Sequence, residues 1–358
     1  MNDVLQPAGS GSPDPGFPSR VRGCLLGGSL GDQLGHPVTA SSREGIRLRY
    51  GAEGLRSFGQ LETARISGTT QLALYTVDAL LEALEWANAG TAADETACLW
   101  LAYLRWYAGQ EGGFPDAAPQ PLPRWIDAQQ LLQERRSPSA ASLAALATGE
   151  MGSRARPINA DTDGADCVAR SAPFGLLPRV PAEMVRRLAL DGAALTHGRP
   201  AAQQSAAAFS SLVHVLVHQG AAPADAATAV LAATEAIPAA AGLAGRLKAA
   251  LRLGQAGPVP AEAVSGELGA GLEADEALAV ALYAVLAGHA SDPQEHFRAA
   301  LALAVNIDGD SSCTGSIAGS LLGAYYGEAG LPPEWLAAAE GTDEVNGMAG
   351  LFLAQTVG

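Results

Sequence analysis

Cysteine is scarce, basic residues are outnumbered by acidic ones, and no apolar run reaches membrane-spanning length. Cys24, Cys98, Cys167 and Cys313 lie far apart and form no CxxC pair, which argues against a zinc ribbon or a disulfide framework and points to a reducing compartment. Lysine and arginine number 22 against 37 aspartates and glutamates, a formal charge of −15. That field repels nucleic acid and anionic membrane and favours solubility. No stretch gives about eighteen uninterrupted apolar residues, and the opening MNDVLQPAGSGSPDPGFPSR lacks the basic start and apolar core of a signal peptide. These absences predict a cytoplasmic protein with neither nucleic-acid nor membrane partners. Runs of β-branched residues alternating with polar ones are also missing, so an all-α class is expected.

Hydrophobic residues make up 48% of the 358 positions and charged residues 16%, enough apolar surface for a large core and too little charge for a disordered chain. Apolar residues recur at three- and four-residue spacing. The clearest helices are TTQLALYTVDALLEALEWA, ADETACLWLAYLRWYAGQ, PAEMVRRLALDGAALTH, QQSAAAFSSLVHVLVHQ, ADEALAVALYAVLAG and DPQEHFRAALALAVN. The Ala-rich span 221–256 carries Asp225, Glu235, Arg246, Lys248 and Arg252 among its apolar residues, the pattern of packed helices around a break at Pro238. Residues 1–19, rich in Gly, Ser and Pro, read as a flexible leader, and 20–358 as a single domain. In TGSIAGSLLGAYYG, Gly315, Gly319, Gly323 and Gly327 stand four residues apart and give a helix one bare face for another backbone. A soluble helix wedged into the centre of a bundle is expected.

Four polar segments lead into or out of apolar helices: GSLGDQLGHPVTA (28–40), ISGTTQ (66–71), NADTDGADCVARSAPFGLL (159–177) and NIDGDSSCTGS (306–316). Each has a plain structural account. Asp310 suits a helix N-cap, as do Ser67 and Thr69. Cys313 at a helix start is a candidate nucleophile, but no partner base accompanies it in sequence, which favours a buried thiol. His214 and His218, one turn apart, lack a third zinc ligand and read as partner or core residues.

Taken in order, RVRGCLLGGSLGDQLGHPV, SPSAASLAALATGEMG, RSAPFGLL, ALTHGRP and ALAVNIDGDSSCTGSIAGSLLGAYYG resemble the ADP-ribosylglycohydrolase family, the all-α hydrolases that include the dinitrogenase reductase-activating glycohydrolase. The resemblance implies a compact orthogonal multi-helix bundle with a central cleft floored around Ser67, Thr69 and Asp310. It also implies two magnesium or manganese ions, held in the family by a Thr/Ser-Asp-Asp-Thr segment and an Asp-x-Asp-Ser/Thr segment. A two-ion site of this kind orients ribose hydroxyls and a water for attack at the anomeric carbon.

At the matching positions this chain departs from the pattern. Ser67-Gly68-Thr69-Thr70 occupies the first segment, with Gly68 and Thr69 where the two aspartates stand. In the second, Asp310 is kept, while Ser312 and Cys313 replace the second aspartate and the terminal Ser/Thr; Thr39 falls where a glutamate often lies. Hydroxyls do not replace the charge that holds a hydrated divalent ion, so no metal ligands and no metal cofactor are expected. The phosphate-facing loop, TDGAD, puts Asp163 and Asp166 at a lysine and a glycine position beside Asp161. It reads as a solvated acidic loop, a cation site of its own, or a site for a changed ligand. Asp32 matches the family's Gly-Asp, Arg170 its arginine before Ala-Pro, and His197 a recurrent position; all three are expected to hold the scaffold.

Three functions follow. The first is a degenerate member binding an ADP-ribose-like or other ribosyl or nucleotide ligand through Ser67, Thr69, Thr39, Asp163, Gly164, Asp166 and Ser312. The second is a repurposed glycosidase cleaving an N- or O-ribosyl bond with Asp310 or Asp308 as general base. The third is an interaction role with a vestigial cleft. The sequence identifies no protein partner.

Overall fold

A computed structural model of the chain describes residues 16–39 and 41–356. Among these the backbone consists of helices and turns without a strand, and one isolated bridge joins Gly164 to Glu273. The helices that carry the architecture are α1 (Phe17–Gly35), α2 (Gly68–Asn88), α3 (Glu95–Glu111), α4 (Ala182–Ala194), α5 (Pro200–Gln219), α6 (Ala241–Gln255), α7 (Ala274–Ala287), α8 (Pro293–Val305), α9 (Ser311–Tyr326) and α10 (Thr342–Thr356). Every helix expected from periodicity is present, and the all-α expectation holds. The Ala-rich span is two helices, Pro223–Glu235 and α6, separated by a 3-10 turn at Pro238–Ala240, because proline cannot continue the ladder of backbone hydrogen bonds. Of the leader expected over 1–19, residues 1–15 lie outside the described residues, whereas Phe17–Ser19 form the first turn of α1 and Phe17 is buried.

Local chemistry sets the helix starts. The Asp94 side chain accepts the Ala97 N–H at 3.0 Å to open α3, and Asp292, followed by Pro293, accepts that of Glu295 at 2.9 Å to open α8. Helix α3 ends on Gly112 at φ +81°, a left-handed conformation that glycine adopts without steric penalty.

The centre of the bundle is the antiparallel pair α1 and α9. Gly23, Gly27 and Gly31 of α1 lie against Gly323, Gly319 and Gly315 of α9, and Gly35 meets Ser311, so that a β-carbon at any of these four α1 positions would collide with the facing backbone. The bare face anticipated on α9 is therefore filled by a second glycine face, and residues Ser311 to Ala324 are all buried. Around this pair, α7 and α8 flank α9, α10 packs on α1 and α2, α4 lies on α5, and α6 on α7. The buried apolar cluster runs from Phe17 to Leu353.

A buried ion network joins α2 to α3 and the turn at 124–127. The Asp78 carboxylate is shared between Arg105 and Arg124, at 2.8 Å to the Arg124 Nε, and Arg105 reaches Asp127 at 3.0 Å. All four cysteines are free and buried. Among the described residues no helix is long and apolar enough to cross a membrane.

Candidate functional site

Asp32, on the last full turn of α1, is completely buried. The glycines around it let α9 approach, and the start of α2 closes the third side. Its Oδ2 accepts the Ser67 N–H at 2.8 Å, the Thr70 N–H at 3.3 Å and the Thr70 hydroxyl at 2.6 Å; its Oδ1 accepts the hydroxyls of Ser67 at 2.7 Å and Ser312 at 2.5 Å. Five donors thus converge on one carboxylate, the hydrogen-bond partners that a buried polar group requires. The scaffold role expected for Asp32 is accurate, but its place is the middle of the site.

Ser67, Thr69, Thr39 and Ser312 come together around it. The Ser67 Oγ caps α2 by accepting the Thr69 N–H at 3.1 Å, and the Thr69 Oγ1 lies 3.1 Å from the Ser312 Oγ. Thr39 accepts the Ser312 N–H at 3.1 Å and donates its hydroxyl to Gly35 O at 3.2 Å. Thr69 and Thr39 remain half-buried, while Ser67 and Ser312 are covered.

Asp310 is the N-cap of α9, accepting the Cys313 N–H at 2.9 Å. Burial raises its carboxyl above the usual range, and the charges of Asp166 and Asp32 push in the same direction against the capping bond. Cys313 is covered, and burial together with Asp310 and Asp166 holds its thiol well above the ordinary value, the condition of an inert thiol. Asp308 is turned elsewhere: its carboxylate binds Arg43 through the backbone N–H at 2.8 Å and the side-chain Nε at 2.6 Å.

The acidic loop meets basic side chains from another segment. Asp163 pairs with Arg199 at 3.1 Å, and Asp166 with the His197 Nε2 at 2.8 Å. Asp166 also accepts the Ser142 hydroxyl at 2.8 Å. Burial opposes the charge on Asp166, yet His197 and Arg170 outweigh it and hold the carboxyl well below the usual carboxylate range. Gly164 pairs with Glu273, and the Asp163 carbonyl accepts the Ala274 N–H at 2.8 Å, tying the loop to the start of α7. His197 is fully buried, its Nδ1 lying 2.8 Å from the Thr196 Oγ1. Arg170 reaches Ser142 and Thr196 and lies 4.7 Å from the Tyr103 ring centroid, as expected of a scaffold residue. His214 lies beside His218, with ring centroids 4.5 Å apart and the rings tilted by 49°.

One feature of the site had no signal in the sequence. The segment 136–138 lies across the start of α2: the Arg136 carbonyl accepts the Gly68 N–H at 2.6 Å, and a β-carbon on Gly68 would stand 3.0 Å from Pro138 Cα and 3.3 Å from Ser137 O. Ser137 takes φ +49°, uncommon for a non-glycine residue. Arg136 anchors the segment by pairing with Glu134 and, at 3.1 Å, with Glu340, which also accepts the Ile66 N–H at 3.1 Å.

The ADP-ribosylglycohydrolase family model matches residues 13–357. The chain belongs to the ADP-ribosylglycohydrolase family. It is similar to ADP-ribosylhydrolase ARH3 of Gallus gallus, 33% identical over 109 residues that make up 29% of this chain and 30% of that one. Its similarity to ADP-ribosylhydrolase ARH3 of Homo sapiens is 31% identity over 106 residues, 28% and 29% of the two chains. The chain thus spans about 30% of the length of the curated relatives it matches. A solved structure titled "ADP-ribosylglycohydrolase-related protein complex" superposes with a TM-score of 0.63 at 22% identity, covering 96% of this chain and 99% of that one. That likeness places this member of the family in the same fold.

Proposed function

We propose that this family member binds an ADP-ribose-like or other ribosyl ligand in its cleft without two-metal hydrolysis. The observation that carries the reading is the closure over Gly68. A β-carbon at this first-segment position would lie 3.0 Å from Pro138 Cα and 3.3 Å from Ser137 O, so a side chain there requires the segment to give by a few tenths of an ångström. The donor set points the same way. Asp32 commits both oxygens to five donors within the protein, Asp310 spends one oxygen on the α9 cap, and the remaining groups are the hydroxyls of Ser67, Thr69, Thr39 and Ser312. A hydrated divalent ion needs carboxylate charge in near-octahedral geometry, and these residues do not fit a pair of such ions.

The half-buried hydroxyls of Thr69 and Thr39 are suited to ribose hydroxyls, and the loop at Asp163 and Gly164 to the rest of the ligand. With Asp163 paired to Arg199 and Asp166 to His197, the loop is less repulsive to a nucleotide phosphate than its composition suggests. A cytoplasmic setting belongs to the same reading, since four unpaired thiols suit a reducing compartment. The test is thermal unfolding of metal-stripped protein with ADP-ribose, with and without magnesium or manganese. A metal-independent rise in Tm is expected, because a ligand selective for the native state stabilises it by mass action. A rise that requires the metal overturns the proposal.

A second reading is favoured by the raised carboxyl of Asp310. A carboxylate of increased basicity is a better general base for a water attacking a ribosyl bond, and this reading assigns that role to Asp310. Asp308, committed to Arg43, is the weaker of the two candidates. Turnover of a ribosyl substrate that is lost in Asp310→Asn and unaffected by chelator would establish it; turnover retained in that variant would exclude it.

A further inference from the structure

A second concavity lies away from the hydroxyl site. A cavity of roughly 690 Å³ opens between the helix Arg43–Tyr50, the segment at 258–265, α7 and α8. None of Ser67, Thr69, Asp310 and Ser312 lines it; Asp308 does, together with its partner Arg43. Val264, Val280, Tyr283, Leu303 and Ile307 give it apolar walls. Its size is that of a small-molecule pocket, and apolar walls with a few polar groups are the usual make-up of one.

The charges around it are unevenly satisfied. Each lining carboxylate is paired with a guanidinium: Asp308 with Arg43 at 2.6 Å, Glu53 with Arg56 at 3.0 Å, and Glu295 with Arg298 at 2.8 Å, Arg43 also reaching Glu262 at 3.9 Å and Arg298 also Glu334 at 2.6 Å. Arg47 lines the same cavity, is exposed, and has no ion pair or side-chain hydrogen bond among the described residues. In a chain of net charge −15 this leaves one uncompensated cation beside apolar walls. Arginine is the side chain best shaped to take a carboxylate or phosphate through paired N–H groups.

We propose that this cavity binds a small amphipathic anion, with an apolar body against the α7 and α8 wall and a carboxylate or phosphate head on Arg47. The site is independent of the ribosyl cleft. Calorimetric titration of the full chain with octanoate, octyl phosphate and octanol tests it. At least one of the anions is expected to bind saturably and roughly tenfold more tightly than octanol, the equivalent of one charge-assisted hydrogen bond. The stronger of the two identifies a carboxylate or a phosphoester head. Arg47→Ala, at an exposed position, should leave Tm unchanged and bring the anion down to the affinity of octanol. Ala261→Trp, which fills the cavity from its rim, should abolish binding of all three. Absence of saturable binding, equal affinity for octanol and the anions, or anion affinity untouched by Arg47→Ala overturns the proposal.

Discussion

Asp32 and Ser312 are separated by 280 residues in sequence and by 2.5 Å between the Asp32 Oδ1 and the Ser312 Oγ. This bond joins α1 to α9 at the point where their glycine faces end, and Ser67 and Thr70 add α2 to the same carboxylate. The position is the structural keystone of three helices.

Asp32→Ala should therefore be severe. It leaves three hydroxyls and two backbone N–H groups without their acceptor in a fully covered site, and a loss of about 3 kcal/mol or more is expected. Urea unfolding measures it. Asp163→Asn, which breaks a partly exposed pair with Arg199, should change stability by about 1 kcal/mol or less. Equal losses in the two variants would contradict the assignment of Asp32.

The segment over Gly68 makes a sharper test of the metal question. Gly68→Asp has to displace Pro138 and Ser137, and a destabilisation of about 1–3 kcal/mol is expected from overpacking. Millimolar magnesium or manganese should not restore the lost Tm. Recovery of stability by the metal would mean that the segment yields and that an ion site can be rebuilt.

Two aspartates should respond to pH with opposite sign. Asp166 has a lowered carboxyl in the folded protein, so its contribution is present above the ordinary aspartate range and is lost as pH falls through the acid range toward the folded value. Asp166→Asn should then destabilise at neutral pH and progressively less in acid. Asp310 has a raised carboxyl, so its ionisation opposes folding. Asp310→Asn, which keeps an N-cap oxygen, should stabilise at neutral pH, with the gain vanishing as pH falls below the ordinary aspartate value. Stability curves of the three proteins between neutral pH and the acid limit of folding separate these trends.

Thiol chemistry gives a simple check of the core. In the folded protein iodoacetamide near pH 8 should leave Cys313 unlabelled, and all four cysteines should react once the chain is unfolded. Intact-mass measurement counts the labels. Rapid native labelling at Cys313 would revive the nucleophile excluded by its burial.

The helices were legible because each has its own apolar period, and the break at Pro238 because proline acts locally. The bare face of α9 was legible too, and so was the glycine-rich α1. Their pairing was not, since spacing along one helix says nothing about which backbone will lie on it. The same limit applies to Arg43 with Asp308, 265 residues apart, and to the segment 136–138 over Gly68. Ser67, Thr69, Thr39 and Ser312 were placed together by family order, and the structure brings them within hydrogen-bonding distance. The charge of the acidic loop was misleading alone because its partners, His197 and Arg199, come from the turn after α4.

Glycine opposite glycine along α1 and α9 also dictates when the site can come into being. Its α1 half is made before its α9 half, and no nascent chain that stops short of Ser312 can assemble the Asp32 centre. Contacts of such sequence separation are slow to form, and until α9 arrives the bare face of α1 is exposed to any other small-residue helix. The close fit of α1 on α9 thus makes the newly synthesised protein dependent on a helix nearly three hundred residues downstream, and vulnerable to mispairing until that helix has emerged.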